Sequence, residues 1–204
     1  MSVLIVTGTD TGIGKTVFAA GLAGALGAYY WKPIQAGVDP EGDKETVAAL
    51  SGLPSARILP EAFRLNTPAS PHLAARIDGI TIALEQLALP QVDGPLVVEG
   101  AGGVLVPISE TLLMADLFAH WGQPVILCAR TGLGTINHSL LSIEALRSRG
   151  AQLAGIAFIG DPHAENERII PQLAGVPSLG RLPHLDRLDP VSLKAAFAAN
   201  IRLP

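Results

Sequence analysis

The chain has 204 residues, 49% of them hydrophobic, only 16% charged and 4% aromatic, with 22 glycines and 16 prolines. That length and apolar content exclude a disordered chain and a disulfide-stapled miniprotein, and they fit one domain whose core is Ala, Val, Leu and Ile. A net charge of −4 argues against general affinity for nucleic acid or an anionic membrane, because both need clustered Lys and Arg.

A first strand is expected over Val3–Thr7; with no basic flank, this short apolar run does not read as an export signal. The uncharged stretch from Thr16 to Trp31 carries Gly21, Gly24 and Gly27 and is too short to cross a membrane. It reads as a buried helix, Lys15–Leu26, followed by a strand, Ala28–Lys32. From Pro33 to Pro71 the pattern is less regular. We expect one helix, Asp43–Leu50, turns at Asp39-Pro40-Glu41-Gly42 and Thr67-Pro68, and extended loops over the ligand edge of a sheet. Ser70 is placed to cap a helix that begins near His72. Strands Leu96–Glu99, Val125–Ala129 and Gly155–Ile159 then alternate with helices Leu112–Trp121, Thr135–Arg149 and His163–Leu173. The tail from Pro177 is turn-rich through Gly180-Arg181-Leu182-Pro183 and closes on a helix near Pro190–Ala199.

Strands that are apolar throughout, rather than at alternate positions, belong to parallel sheets covered on both faces. The expected fold is therefore α/β: a doubly wound, mostly parallel sheet in a single domain spanning residues 1–204. The one cysteine, Cys128, cannot pair internally and reads as core packing, so a reducing cytoplasm is the expected setting. His120, His138, His163 and His184 have no metal-ligand spacing, and structural roles are expected for them.

The segment Gly8-Thr9-Asp10-Thr11-Gly12-Ile13-Gly14-Lys15-Thr16 follows the first strand and opens a helix. This is the setting of a phosphate loop of the P-loop NTPases. The backbone N–H groups of residues 12–17 wrap an anion, Lys15 neutralises charge, and Thr16 can ligate Mg²⁺. The spacing departs from the usual one, since five residues rather than four separate Gly8 from Gly14. Lys32 at a strand end is either a surface lysine or a cation aimed at the ligand edge; the flanking Tyr29, Tyr30 and Trp31 favour the second. Glu99 ends an apolar strand ahead of Gly100-Ala101-Gly102-Gly103, where a carboxylate can hold Mg²⁺ or simply cap a loop. Asp43 can likewise cap its helix or face a metal.

The phosphate loop with its extra residue resembles that of the dethiobiotin synthetase family. So do Trp31-Lys32-Pro33-Ile34-Gln35-Ala36-Gly37, Thr67-Pro68-Ala69-Ser70-Pro71-His72, Val98-Glu99-Gly100-Ala101-Gly102-Gly103 and Leu133-Gly134-Thr135-Ile136-Asn137-His138, in family order along nearly the whole chain. The resemblance implies an ATP- and Mg²⁺-dependent ligase of biotin synthesis that joins 7,8-diaminononanoate and CO₂ into dethiobiotin, releasing ADP and phosphate. It implies that Lys32 and Lys15 are catalytic and that Thr16, Asp43 and Glu99 hold Mg²⁺. Nucleotide contacts are implied for Gly12, Ile13, Gly14, Lys15, Thr16, Val17, Asp43, Glu99, Gly100, Ala101, Gly102, Pro183, His184 and Leu185. Substrate contacts are implied for Thr11, Lys32, Ala36 and Ser70, and for Gly134, Thr135, Ile136 and Asn137 of a second subunit, hence a homodimer.

Three positions depart from the family: Gly12 where some members have Glu, Ala36 where Ser or Thr is frequent, and Ile159-Gly160-Asp161 in place of an Asn-containing base-recognition segment. Two rival readings carry other functions. Partition and division-site ATPases share the sheet and loop, but have a lysine early in the loop where this chain has Thr9, Asp10 and Thr11. Amidating or carboxylating ligases of the cobalamin type share the mechanism, but the Lys32-Pro33 motif tells against them.

Overall fold

Residues 2–37 and 42–203 are described by the structure, a computed structural model, so the turn expected at Asp39-Pro40-Glu41 lies outside the described residues. In chain order these residues form β1 (Val3–Gly8), α1 (Lys15–Leu26), β2 (Tyr29–Trp31), β3 (Ile34–Ala36), α2 (Asp43–Leu50), β4 (Phe63–Leu65) and α3 (Pro71–Asp78). Then come β5 (Leu96–Glu99), α4 (Met114–Trp121), β6 (Val125–Arg130), α5 (Thr135–Arg147), β7 (Leu153–Ile159), α6 (Ala164–Ala174), β8 (Ser178–Leu182) and α7 (Pro190–Asn200). Six strands make one sheet in the order β2-β5-β1-β6-β7-β8, and every pair is parallel.

The unbroken apolar runs have a direct structural meaning. Alternate residues of each strand face opposite sides of the sheet, and both sides are covered. Ile5, Val98, Leu127 and Phe158 pack under Phe118 of α4, Ile143 of α5 and Ile170 of α6. Val6, Val97, Ile126 and Ala157 pack under Phe18 and Leu22 of α1 and Phe197 of α7. Each fully buried Leu, Ile or Phe contributes about 1.5–3 kcal/mol, so neither face tolerates a charge without a partner. The small residues of α1 have a packing reason: a methyl group on Gly24 would run into the Ser51 carbonyl oxygen behind α2.

Two expectations change. The turn-rich stretch after Pro177 contains the sixth strand, β8, an edge strand that bends where Gly180 (φ +101°) lies against the Asn200 carbonyl. Gly180 and the flanking prolines disguised it, since an edge strand tolerates both residue types. The loops expected between Pro33 and Pro71 include a small parallel pair, β3 and β4, of three residues each, too short to show a period. Helix starts also move slightly. Leu113 stays extended because its N–H donates to Asp116 Oδ2 (2.9 Å), so α4 begins at Met114. His163 precedes α6 as its N-cap, with Nδ1 accepting from Asn166 N (3.3 Å).

The strand order places the ligand edge. β5 slides between β2 and β1, and β6 pairs on the other side of β1. The carboxyl ends of β2, β5 and β1 therefore lie side by side at the point where the winding direction changes, the usual binding crevice of such sheets.

Candidate functional site

Each of those three strand ends delivers one group. The loop of residues 9–14 follows β1, Lys32 follows β2, and Glu99 is the last residue of β5. The loop bends through Gly12 (φ +70°) and Gly14 (φ +95°), a conformation that side chains disfavour, and so turns its backbone toward the start of α1. The first N–H groups of α1 have no partner of their own within the helix and form an anion-binding end. Lys15 is buried and its ammonium donates to the Asp10 carbonyl (2.8 Å), closing the loop. Burial lowers the Lys15 pKa, with the Glu99 charge opposing.

Glu99 is 1% exposed and held from two sides. Thr16 Oγ1 donates to its Oε1 (2.8 Å), and Tyr30 Oη donates to its Oε2 (2.8 Å). Lys32, 5% exposed, ion-pairs directly with Asp43 and lies 3.6 Å from Glu99 Oε1. Burial alone would lower the Lys32 pKa, but the charges of Glu99 and then Asp43 outweigh it and hold the ammonium above its ordinary value. The Tyr30 phenol is pushed well up, by burial first and then by Glu99, and remains a donor.

Asp43 is placed by the start of α2. It is the first helical residue, not the cap: Gly42 takes the cap position and its N–H donates to Glu45 Oε2 (3.0 Å). Lys44 pairs with Glu61 (3.0 Å), which also takes Arg64 (3.1 Å), and this ties α2 to β4. Gln35 Oε1 accepts from Asp43 N (3.3 Å) while its Nε2 donates to Gly37 O (3.0 Å).

These groups open on a cleft of about 690 Å³. Of the expected site residues, it is lined by Thr11, Gly12, Gly14, Lys15, Thr16, Val17, Lys32, Ala36, Asp43, Ser70, Glu99, Ala101 and Gly102. Ile13 turns its side chain into the core, and Gly100 packs on the Phe118 ring, so both can offer only backbone to a ligand. Ser70 precedes α3, but its hydroxyl meets His72 Nδ1 (3.0 Å) and caps no backbone N–H. Pro183, His184 and Leu185 follow β8 and do not line this cleft. His184 nevertheless stands beside Gly160, next to Ile159, on whose side chain Gly14 of the loop rests.

Gly134, Thr135, Ile136 and Asn137 also stand apart from the cleft. The Thr135 hydroxyl is buried and donates to the Arg130 carbonyl (2.5 Å), and its N–H donates to the Gly132 carbonyl (3.2 Å), so both of its donors are engaged within the chain. One turn on, His138, Leu141 and Ser142 border a second hollow of about 490 Å³ with Thr9, Asp10 and Thr11. Arg130 links the two regions through Asp10 Oδ2 (3.3 Å).

The sequence reading missed Tyr30 and Gln35 as site residues. A tyrosine inside a buried strand needs an acceptor for its hydroxyl, and that was the available signal. Gln35 carried none, because nothing in the sequence places its amide beside Asp43.

The donors facing the cleft are the two carboxylates of Asp43 and Glu99 and the hydroxyl of Thr16, hard oxygen ligands that suit Mg²⁺. Among the described residues no group of three His, Cys, Asp or Glu gathers into a metal site.

Known proteins place this arrangement. A family model described as an AAA domain matches residues 2–192. The chain is 66% identical over 197 residues to the ATP-dependent dethiobiotin synthetase BioD of Rhodopseudomonas palustris (strain HaA2), covering 97% of this chain and 92% of that protein. It is 60% identical over 193 residues to the enzyme of the same name in Brucella anthropi (95% and 91% covered). With that of Agrobacterium fabrum it shares 59% over 199 residues (98% and 94%). Among solved structures, a ParA family ATPase from Chlorobium tepidum TLS superposes with a TM-score of 0.60 at 13% identity (97% and 91% covered). The MinC:MinD cell division complex of Aquifex aeolicus gives 0.57 at 13% (96% and 86%). At that identity the likeness shows a shared fold alone.

Proposed function

The chain belongs to the ATP-dependent dethiobiotin synthetases, and from that premise we propose how its own residues carry out the reaction. It is a ligase that forms C–N bonds and makes dethiobiotin for biotin synthesis at the expense of ATP. The finer reading has four parts: the substrates meet in the cleft, Mg²⁺ accompanies the nucleotide, two copies share each site, and the single domain works in the cytoplasm. The observation that carries it is the convergence of Lys32, Glu99, Thr16 and Asp43 at the mouth of the phosphate loop.

The chemistry starts with a carbamate. One amine of 7,8-diaminononanoate adds to CO₂ and loses a proton. A carbamate oxygen then attacks the γ-phosphorus of ATP, and the bond to the bridging oxygen breaks to release ADP. The second amine attacks the carbon of the resulting carbamic-phosphoric anhydride. Phosphate leaves, carrying the carbamate oxygen, and a cyclic urea remains. Phosphoryl transfer of this kind needs positioning and charge neutralisation more than proton transfer. Lys32 suits that task, since its raised pKa keeps it an ammonium beside both the carbamate and the transferred phosphoryl group. Lys15 and the loop backbone hold the phosphates.

Charge balance supports Mg²⁺. Lys15 and Lys32 already offset Asp43 and Glu99, so a bound triphosphate would leave the cleft strongly negative. Thr16, Asp43 and Glu99 would hold the cation. When bound, it supplies charge neutralisation at the phosphate oxygens.

The start of α5 supports a shared site. Its free N–H groups at Ile136 and Asn137 can receive the substrate carboxylate, yet they do not line the cleft that holds Lys32. Exposed Leu105, Leu133 and Leu141 give that side an apolar character suited to a second copy.

The test of this reading is product formation. Purified protein with Mg²⁺ and ATP should release ADP only when both diamine and bicarbonate are present, with dethiobiotin detected by mass spectrometry. ADP release indifferent to the diamine would reject the substrate assignment.

A further inference from the structure

We propose that Tyr30 is a positioning residue for the metal end of the site: its hydroxyl ties down one oxygen of Glu99, so that only the other is presented to a divalent cation. This rests on the reading of Glu99 as a Mg²⁺ ligand. The strand geometry explains why these groups meet. Tyr30 on β2 lies in register with Val97 on β5, and Val97 and Glu99 face the same side of the sheet, the side that α1 covers. Glu99 therefore projects between Tyr30 and Thr16 of α1. Tyr30 takes Oε2 at 2.8 Å, and Thr16 takes Oε1 at 2.8 Å.

The tyrosine is completely buried, with Glu99 Oε2 as the acceptor of its hydroxyl. Without it, Oε2 loses its donor and the carboxylate is held through Oε1 alone, by Thr16 and Lys32, so that Oε2 too becomes available to a cation. A carboxylate limited to one oxygen suits the small octahedral Mg²⁺, which takes single oxygens at short distance, whereas the larger Ca²⁺ accepts two from one carboxylate. Outer partners that fix a metal-binding carboxylate are worth roughly 10–100-fold in metal affinity or activity.

The experiment is a Mg²⁺ titration of the ADP-loaded protein, read by calorimetry without turnover, for the unsubstituted chain, Tyr30→Phe and Glu99→Gln. Thermal midpoints and ADP affinity in EDTA are measured alongside. The expected result for Tyr30→Phe is a Mg²⁺ dissociation constant raised about tenfold, a smaller change for Ca²⁺, and unchanged ADP affinity in EDTA. A lower melting temperature with unchanged Mg²⁺ binding would mean a purely structural tyrosine and would overturn the proposal. If Glu99→Gln weakens Mg²⁺ binding and Tyr30→Phe does not, the proposal alone fails. If neither does, the reading of Glu99 fails and takes the proposal with it.

A second measurement avoids substitution at Tyr30. The chain has two tyrosines, so Tyr29→Phe leaves Tyr30 as the only one. Its ring-carbon NMR signal should shift when Mg²⁺ is added to the ADP complex, and a fixed signal at saturating Mg²⁺ would overturn the proposal.

Discussion

Replacing Lys32 with alanine is expected to lower kcat by roughly a thousandfold, the upper part of the 10²–10³ range found when one fixed electrostatic partner of a transition state is removed. MgATP binding changes little by comparison. The reason is where Lys32 sits. It follows β2, is buried, and lies against Asp43 and Glu99 rather than inside the phosphate loop. Under the proposed reading its charge faces the group being transferred and the attacking carbamate, and the loop would hold the rest of the nucleotide without it. The comparison of kcat with the nucleotide dissociation constant, taken from single-turnover and equilibrium measurements, checks this. Equal loss in both would make Lys32 a binding residue.

The same substitution has a pH signature. A lysine whose folded pKa is raised is fully charged below its ordinary value and loses that charge only as pH rises through the raised one. Lys32 is therefore cationic throughout the neutral range and adds no titration of its own to the rate there. Lys32→Ala should keep the shape of the pH–rate profile while its height falls.

Lys15→Ala gives the opposite pattern. Truncating one side of a desolvated charge pair costs about 2–5 kcal/mol, so the ATP dissociation constant should rise by at least thirtyfold. Lys15 opens α1, is buried, and reaches back to the Asp10 carbonyl across the loop proposed to receive the phosphates. With the nucleotide absent that carbonyl occupies the ammonium, and phosphate oxygens are the stronger acceptors. Equilibrium titration with ADP and ATP in the presence of Mg²⁺ reads the effect. Unchanged affinity would show that the loop backbone alone holds the phosphates.

What could be read from the residues divides along physical lines. The central strands β1, β5, β6 and β7 were legible because a strand buried on both faces has to be apolar at every position. The phosphate loop was legible because its function uses backbone, and backbone needs glycine at Gly12 and Gly14. β8 was hidden by Gly180, which its bend requires, and β3 and β4 were too short to announce themselves. Lys32, Asp43 and Glu99 could each be suspected from their own stretch. Their meeting depends on β5 inserting between β2 and β1, which is tertiary information. Tyr30 illustrates the same limit from the other direction: its burial was readable, but the identity of its acceptor came only from the register of β2 on β5.

The central claim is that this cleft phosphorylates a carbamate rather than activating some other group, and oxygen labelling tests it most directly. The reaction is run briefly with ¹⁸O-labelled CO₂ in unlabelled water, and the phosphate released with dethiobiotin is weighed by mass spectrometry. The account predicts a single labelled oxygen in the phosphate, carried over from the carbamate. Unlabelled phosphate formed together with dethiobiotin would contradict it, because the γ-phosphoryl group would then have been transferred to water and not to the substrate.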